Sequence, residues 1–303
     1  MASIKIRKIL VPVDFSGTGE KVLKQSALMA KVAKAEIILL HVLDSPLGNK
    51  SGDYFGKSIL PQEKYQKELI TWLKGQMEDM KKQLLDSGVA KVEYVLEKGT
   101  PYKMILSVAK KIKADIIIMG THGTGGVREF VVGSNTFRVV SEATCPVLSV
   151  QKRTTKGGFK EILLPFCDQP HSRESVDFAL CLAQLYRATL NIVGISYEST
   201  ASALKKLNIE AQQIEHAAKK AGVSTTKEII KGNFVTKVIF EQAVKRKADL
   251  IAITSNLDRQ SISEYIIGPV IHQVVNHSYI PVLSIHPVFN PNVESVSSWR
   301  FWG

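Results

Sequence analysis

The sequence predicts an α/β protein built from two tandem domains, each a parallel five-stranded sheet with helices on both faces. Three observations carry this expectation. Short aliphatic runs alternate with segments of helical period along the chain, as expected for parallel strands buried on both faces and joined by helices. The second half repeats the motifs of the first in the same order. The chain has 303 residues, 45% of them apolar, enough for two domains of ordinary size with substantial cores.

The repeat is visible by eye. "RKILVPVDF" (7–15) resembles "KEILLPFCD" (160–168), "KADIIIMG" (113–120) resembles "KADLIAIT" (247–254), and "TCPVLSV" (144–150) resembles "YIPVLSI" (279–285). The offset drifts from 153 to 134 residues, so loop lengths differ while the elements match. This is a duplication of a whole domain and not a short-period solenoid. The boundary falls in the polar, basic stretch "QKRTTKGGF" (151–159), giving domains over 1–152 and 158–287 and a tail over 288–303.

Within the first half, residues 9–13 form a short buried strand. Residues 18–33 have helical periodicity, with Val22, Leu23, Ala27, Ala30 and Ala33 on one side. Residues 37–42 form a second strand. A long helix over 62–87 carries the stripe Leu69, Leu73, Met77, Met80 and Leu84 and stops at Gly88. A third strand spans 92–96, and a helix over 101–112 opens on Pro101, a favoured first-turn residue. A fourth strand (116–119), a helix (135–143) and a fifth strand (147–150) complete the unit. Strands near 162–166, 190–195, 226–230, 250–254 and 282–285 repeat it. The closing strands 147–150 and 282–285 are too apolar to remain open edges, so they are expected to pair and make the halves one pseudo-dimer.

The candidate site is the segment "GTHGTGGVREFVVGSN" (120–135). It holds Gly120, Gly123, Gly125, Gly126 and Gly133, at the carboxyl end of the fourth strand and just before a helix. Glycine costs backbone entropy in regular structure and is useful where φ is positive or a ligand touches the backbone. In open parallel sheets ligands bind beyond the carboxyl ends of the strands, where strand order reverses. A helix amino end there favours an anion. Ser134 suits an N-cap or a phosphate contact. Asp14, at the end of the first strand, reads either as a turn or cap residue or as a carboxylate for ribose hydroxyls or a base amino group. His122 has no nucleophile or partner carboxylate at a supporting spacing, which favours a backbone role over a general base. His41 reads as a packed edge histidine.

Two familiar phosphate fingerprints are absent: neither G-x-x-x-x-G-K-[ST] nor a G-x-G-x-x-G after the first strand occurs. The spacing Gly120-x-x-Gly123, nine residues, Gly133-Ser134 resembles instead the ATP-binding motif of the universal stress protein family. "KILVPVDFS" and "ATCPVLSV" are similar to that family's opening and closing strands, and the resemblance covers nearly the whole chain in tandem form. It implies a flavodoxin-like or adenine-nucleotide-hydrolase-like α/β fold with sheet order 3-2-1-4-5 in each half. It also implies an adenine nucleotide as ligand: ATP, ADP or AMP, with Mg²⁺ or Mn²⁺ on the phosphates as an option. Carried over residue by residue, Pro12, Val13 and Asp14 line the adenosine side. Val42 meets the adenine through its backbone. Met119 precedes the motif, and Gly120, His122 and Gly123 approach ribose and phosphates. Gly133, Ser134, Asn135 and Thr136 hold the phosphates.

The second half departs from this motif. Aligning Gly268 with Gly133 puts Ser255 and Asp258 near the places of Gly120 and Gly123, and Pro269 in place of Ser134. Proline removes an amide donor, and Asp258 adds negative charge beside the phosphate path. One nucleotide per chain, in the first half, is therefore expected.

The net charge is +12; residues 1–153 carry 24 Lys+Arg against 15 Asp+Glu. Most of the excess is lysine spread along helices without arginine–aromatic interleaving, which favours a solvated face over a nucleic-acid or membrane surface. Cys145, Cys167 and Cys181 read as reduced core residues without metal-ligand spacing. With no apolar signal core and no membrane-length apolar run, a cytoplasmic protein is expected. The tail residues Trp299, Phe301 and Trp302 read equally as a loose terminus or as a clip on an apolar groove. Two function classes remain: a nucleotide-binding regulatory module acting on an unidentified protein partner, and a slow ATPase or adenylate-handling hydrolase. A homo-oligomer is compatible with both.

Overall fold

The computed structural model describes residues 4–15, 19–44, 62–121, 133–152, 154, 157–167, 175–196, 200–232, 234–254 and 270–285. The first half runs β1 (Lys8–Pro12), α1 (Gly19–Ala33), β2 (Glu36–Leu43), α2 (Gln62–Asp86), β3 (Val92–Lys98), α3 (Pro101–Ile112), β4 (Ile116–Gly120), α4 (Ser134–Glu142) and β5 (Val147–Val150). The second repeats it as β6 (Glu161–Cys167), α5 (Val176–Tyr186), β7 (Thr189–Ser196), α6 (Ala201–Lys220), β8 (Thr225–Lys231), α7 (Val235–Lys245), β9 (Leu250–Thr254), α8 (Val270–His277) and β10 (Val282–Ile285).

The strands form one ten-stranded sheet in the order β3-β2-β1-β4-β5-β10-β9-β6-β7-β8. Each half has the expected order, and all pairings are parallel except one. That one is β5 with β10, antiparallel at the centre, with Leu148 opposite Leu283 and both fully buried. The apolar closing strands thus cover each other. The outer strands β3 and β8 carry Glu93, Glu97 and Lys98, and Lys227, Glu228 and Lys231, charges that discourage pairing with another chain.

The aliphatic runs alternate between two layers. Ile9, Val11, Ile37, Leu39, Ile162 and Leu164 face α1, α2, α5 and α6. Leu10, Ile38, Leu40, Leu163 and Val193 face α3, α4, α7 and α8. The stripes follow the sequence pattern: Val22, Leu23, Ala27 and Ala30 of α1 and Leu73, Met77 and Leu84 of α2 are buried.

One helix ending is used four times. Lys34, Lys113, Arg187 and Lys247 sit at φ of 51° to 55° after α1, α3, α5 and α7. The alanine that follows each, Ala35, Ala114, Ala188 or Ala248, donates its N–H back to the helix at 2.8–2.9 Å. The left-handed turn is one that glycine normally takes. The chain then enters a strand directly, without a loop. In the third strand-entry turn of each half an aspartate adds a second tie. Asp115 accepts the N–H groups of Arg7 and Lys8 at 2.7 and 2.8 Å. Asp249 does the same for Lys160 and Glu161, at 2.8–3.1 Å. The repeated "KAD" is therefore a staple holding β4 to β1 and β9 to β6.

The halves differ under α7. Arg246 donates to Thr226 Oγ1 (2.6 Å), Asn191 Oδ1 (3.2 Å), Gln242 Oε1 (3.1 Å) and Glu228 Oε2 (2.5 Å). Asn191, only 3% exposed, also donates to Glu161. In the first half the strand register puts Ile38 and Val95 where Asn191 and Glu228 stand.

Candidate functional site

The switch point of the first half lies between β1 and β4. The chain leaves β1 for β2 on one side and returns through α3 to β4 on the other. Pro12, half-buried, ends β1, and beyond it stand Val13, buried, and Asp14, exposed. Val13 N–H donates to the Leu40 carbonyl at 2.8 Å, and His41 Nδ1–H donates to the Val13 carbonyl at 2.8 Å. His41 therefore fixes the turn after β1, which is more than an edge-packing role. Phe15, at φ 57°, rests on the His41 and Trp72 rings, with centroids 4.7 and 5.8 Å away. Val42 is half-buried near the end of β2, on the α3/α4 side of the sheet.

The other wall is the end of β4 and the start of α4. Met119 is buried and Gly120 half-buried. Thr121 N–H donates to Val150, and Gly133 N–H returns to the Thr121 carbonyl at 2.8 Å. The N-cap is Gly133, not Ser134; Ser134 is the first helical residue and is exposed. Gly133 has φ −57° and ψ 142°, a conformation any residue adopts, so backbone freedom does not require glycine there. Thr136 is buried, and its hydroxyl donates to the Gly120 carbonyl at 2.8 Å. That proton ties α4 to β4.

The donors this leaves are the amides of Ser134, Asn135 and Thr136, for which the helix has no acceptor of its own. Gly133 offers no capping side chain, and the first turn of α4 holds no acidic residue. The helix end therefore presents its positive pole without a carboxylate of its own. His122 and Gly123 lie outside the described residues, as do Gly125 and Gly126 of the motif.

The strand registers also align the halves. Ile9 pairs with Ile116 as Ile162 pairs with Leu250. Phe166 then stands for Val13, Cys167 for Asp14, and Thr254 for Gly120. The residue matched to Gly120 is Thr254, one position before Ser255, because β9 continues through it to pair with Ile285. In the same way β5 and β10 place Ile271 at the position of Thr136. Among the described residues the second half lacks the hydroxyl tie, and it carries Cys167 at the place of Asp14; Asp168, one residue further on, lies outside the described residues. Ser255, Asp258, Gly268 and Pro269, and the tail from 286 onward, lie outside the described residues.

All three cysteines are free thiols. Burial pushes Cys145 and Cys181 up to about 11, which makes them poor nucleophiles near neutral pH. No group of three or more metal-ligating side chains occurs among the described residues, and no described helix is long and apolar enough to cross a membrane.

Sheet and switch point define a tandem doubly wound α/β protein whose two halves share one continuous sheet. The chain belongs to the Universal stress protein family: the family model matches residues 5–151 and again 158–286. It is similar to Universal stress protein MJ0577 of Methanocaldococcus jannaschii, 36% identical over 166 residues that cover 50% of this chain and 99% of that protein. Universal stress protein MJ0531 of the same organism is 34% identical over 149 residues, covering 48% and 82%. Among solved structures, a universal stress protein from Archaeoglobus fulgidus superposes with a TM-score of 0.72 over 93% of this chain and 97% of that one. At 18% identity that likeness speaks for the fold.

Proposed function

We propose that this chain is a cytoplasmic regulatory module that binds one adenine nucleotide, in its first half. The observation that carries the reading is the amino end of α4. Its N-cap is a glycine whose conformation does not call for glycine, and it faces the switch-point crevice with three helix-end amides and no acidic residue in its first turn. A glycine kept there without a backbone reason suits a ligand that needs the space of a side chain. A polyphosphate meets both conditions, since it accepts amide hydrogen bonds and its charge favours the positive helix end. Pro12, Val13, Asp14 and Val42 then border the nucleoside side, and Met119, Gly120, His122 and Gly123 its middle.

The division of labour follows the domains, 1–152 holding the ligand and 158–287 acting as scaffold. Relative to the first half, the second carries Pro269 in place of Ser134 and so offers neither that residue's amide nor its hydroxyl, and it places Asp258 near the position of Gly123. A hydrogen bond to a charged group contributes about 1.5–3 kcal/mol. Losing two donors or acceptors costs roughly a hundredfold or more in affinity.

Titration calorimetry of the full chain with MgATP, ADP and AMP tests this. The expected stoichiometry is near one, abolished by Gly133→Val and kept in Gly268→Val. Two equivalent sites, or binding that survives Gly133→Val, overturn the reading. Phosphate release followed in the same samples separates a binding module from a slow hydrolase.

A further inference from the structure

The two halves meet on the α4 side of the sheet through residues at equivalent positions. Phe137 of α4 and His272 of α8 correspond to each other in the register set by β5 and β10. Their rings stack with centroids 3.7 Å apart and planes 23° from parallel. Beside them Ser141 Oγ lies 3.1 Å from His272 Nε2. The Ser141 hydroxyl donates its one proton to the Phe137 carbonyl at 2.9 Å. Its contact with His272 therefore takes the ring Nε2–H as donor, which fixes the tautomer. Burial pushes His272 down to about 4, so the ring is neutral near pH 7 with Nδ1 bare. A relay results: His272 Nε2–H to Ser141 Oγ–H to the carbonyl of Phe137.

Phe137 also belongs to the candidate site's helix end, because its N–H closes the first turn of α4 onto the Gly133 carbonyl at 3.0 Å. One residue thus joins the helix amino end by its N–H and the second half by its carbonyl and its ring. We propose that this junction couples the two halves: an anion held at the amino end of α4 is felt by α8 through Phe137, Ser141 and His272. Any ligand that draws the first-turn amides toward itself moves the carbonyl and ring of Phe137 with them. The stack and the relay then tighten or part. By linkage, whatever alters His272 must alter anion affinity in return. The nucleotide arm of the test rests on the reading above; a second arm does not.

The test uses the full chain with ¹⁵N-labelled imidazoles. The chain has seven histidines, and the His272 signals are assigned by their loss in His272→Gln. In one arm MgATP is added, with binding followed separately by calorimetry. In the other, Ser134→Asp places a fixed carboxylate at the first helical position with no ligand present. Both perturbations should shift the His272 nitrogens. Phe137→Leu, at a position 43% exposed and so tolerant of change, should abolish both shifts and change the Kd for MgATP by about fivefold. Shifts with Ser134→Asp but no heat with MgATP uphold the coupling and reject the nucleotide. Heat with MgATP and unmoved His272 signals in both arms overturn the coupling and leave the nucleotide reading intact. Neither heat nor shift overturns both. Shifts that persist in Phe137→Leu overturn the route through Phe137.

Discussion

Replacing Thr136 by valine removes one hydrogen and one oxygen lone-pair set while keeping the shape of the side chain. In the structure that hydroxyl is a tie between α4 and β4, donating to the Gly120 carbonyl at 2.8 Å from a residue 4% exposed. A neutral hydrogen bond contributes about 1 kcal/mol net. Thr136→Val should therefore lower stability by about that amount, a fall in Tm of roughly 2–4 °C for domains of this size. The effect on binding follows from the same number. If the tie pre-orders the first turn of α4, a ligand must supply that ordering once it is gone. The penalty is then at most about 1 kcal/mol, or about fivefold in Kd. Scanning calorimetry without ligand and titration calorimetry with MgATP read the two quantities on one sample. An unchanged Tm with binding weakened a hundredfold would refute the tie and make the hydroxyl a direct ligand contact.

Three further outcomes are expected. Leu148→Lys puts an ammonium into the fully buried centre of the β5–β10 seam and should cost upward of 3 kcal/mol in urea unfolding, with earlier proteolysis between the halves; an unchanged midpoint contradicts the seam. Arg246→Ala removes its bonds to Glu228, Thr226 and Asn191, but Glu228 keeps Lys245 and Thr226 keeps Asn191, so it should destabilise by only about 1–2 kcal/mol, part of which Arg246→Lys recovers. His272 is held at about 4 against an ordinary 6.5, so the unfolded chain binds the proton first. Its contribution is fully present above about pH 6.5 and is lost as pH falls toward 4, up to roughly 3 kcal/mol; His272→Phe should flatten that part of the stability–pH curve.

The architecture was legible because it rests on periodicity. Aliphatic runs fix the strands, and the internal repeat fixes two copies of them. The apolar closing strands pointed to the pairing that β5 and β10 make. What escaped was chemistry that composition does not announce. "KAD" looked like a helix end running into a strand, yet its lysine takes a left-handed turn usually given to glycine, and its aspartate reaches a strand a hundred residues away. Asp115 and Asp249 could have been found by asking why a carboxylate stands at the same place in both halves. Ser134 looked like a cap because serine favours that position, but the chain enters α4 one residue earlier, at Gly133. That the Thr136 hydroxyl ties α4 to the end of β4 is visible only in the fold. Asn191 and Arg246 lie 55 residues apart, and no local pattern links them.

The antiparallel seam has a consequence for how such a protein evolves and responds. Were the two units separate chains, their encounter would depend on dilution, and every substitution would appear on both sides of the axis at once. Joined by a short connecting segment, they meet at an effective concentration in the millimolar range. Assembly becomes indifferent to how much protein the cell makes. Each side is also released from mirroring the other: a phenylalanine can face a histidine where a symmetric pair would place two copies of one residue. One unit can keep a ligand's requirements while its twin accumulates changes that would spoil a shared site. The molecule retains the frame of a symmetric pair and gains a direction from one half to the other.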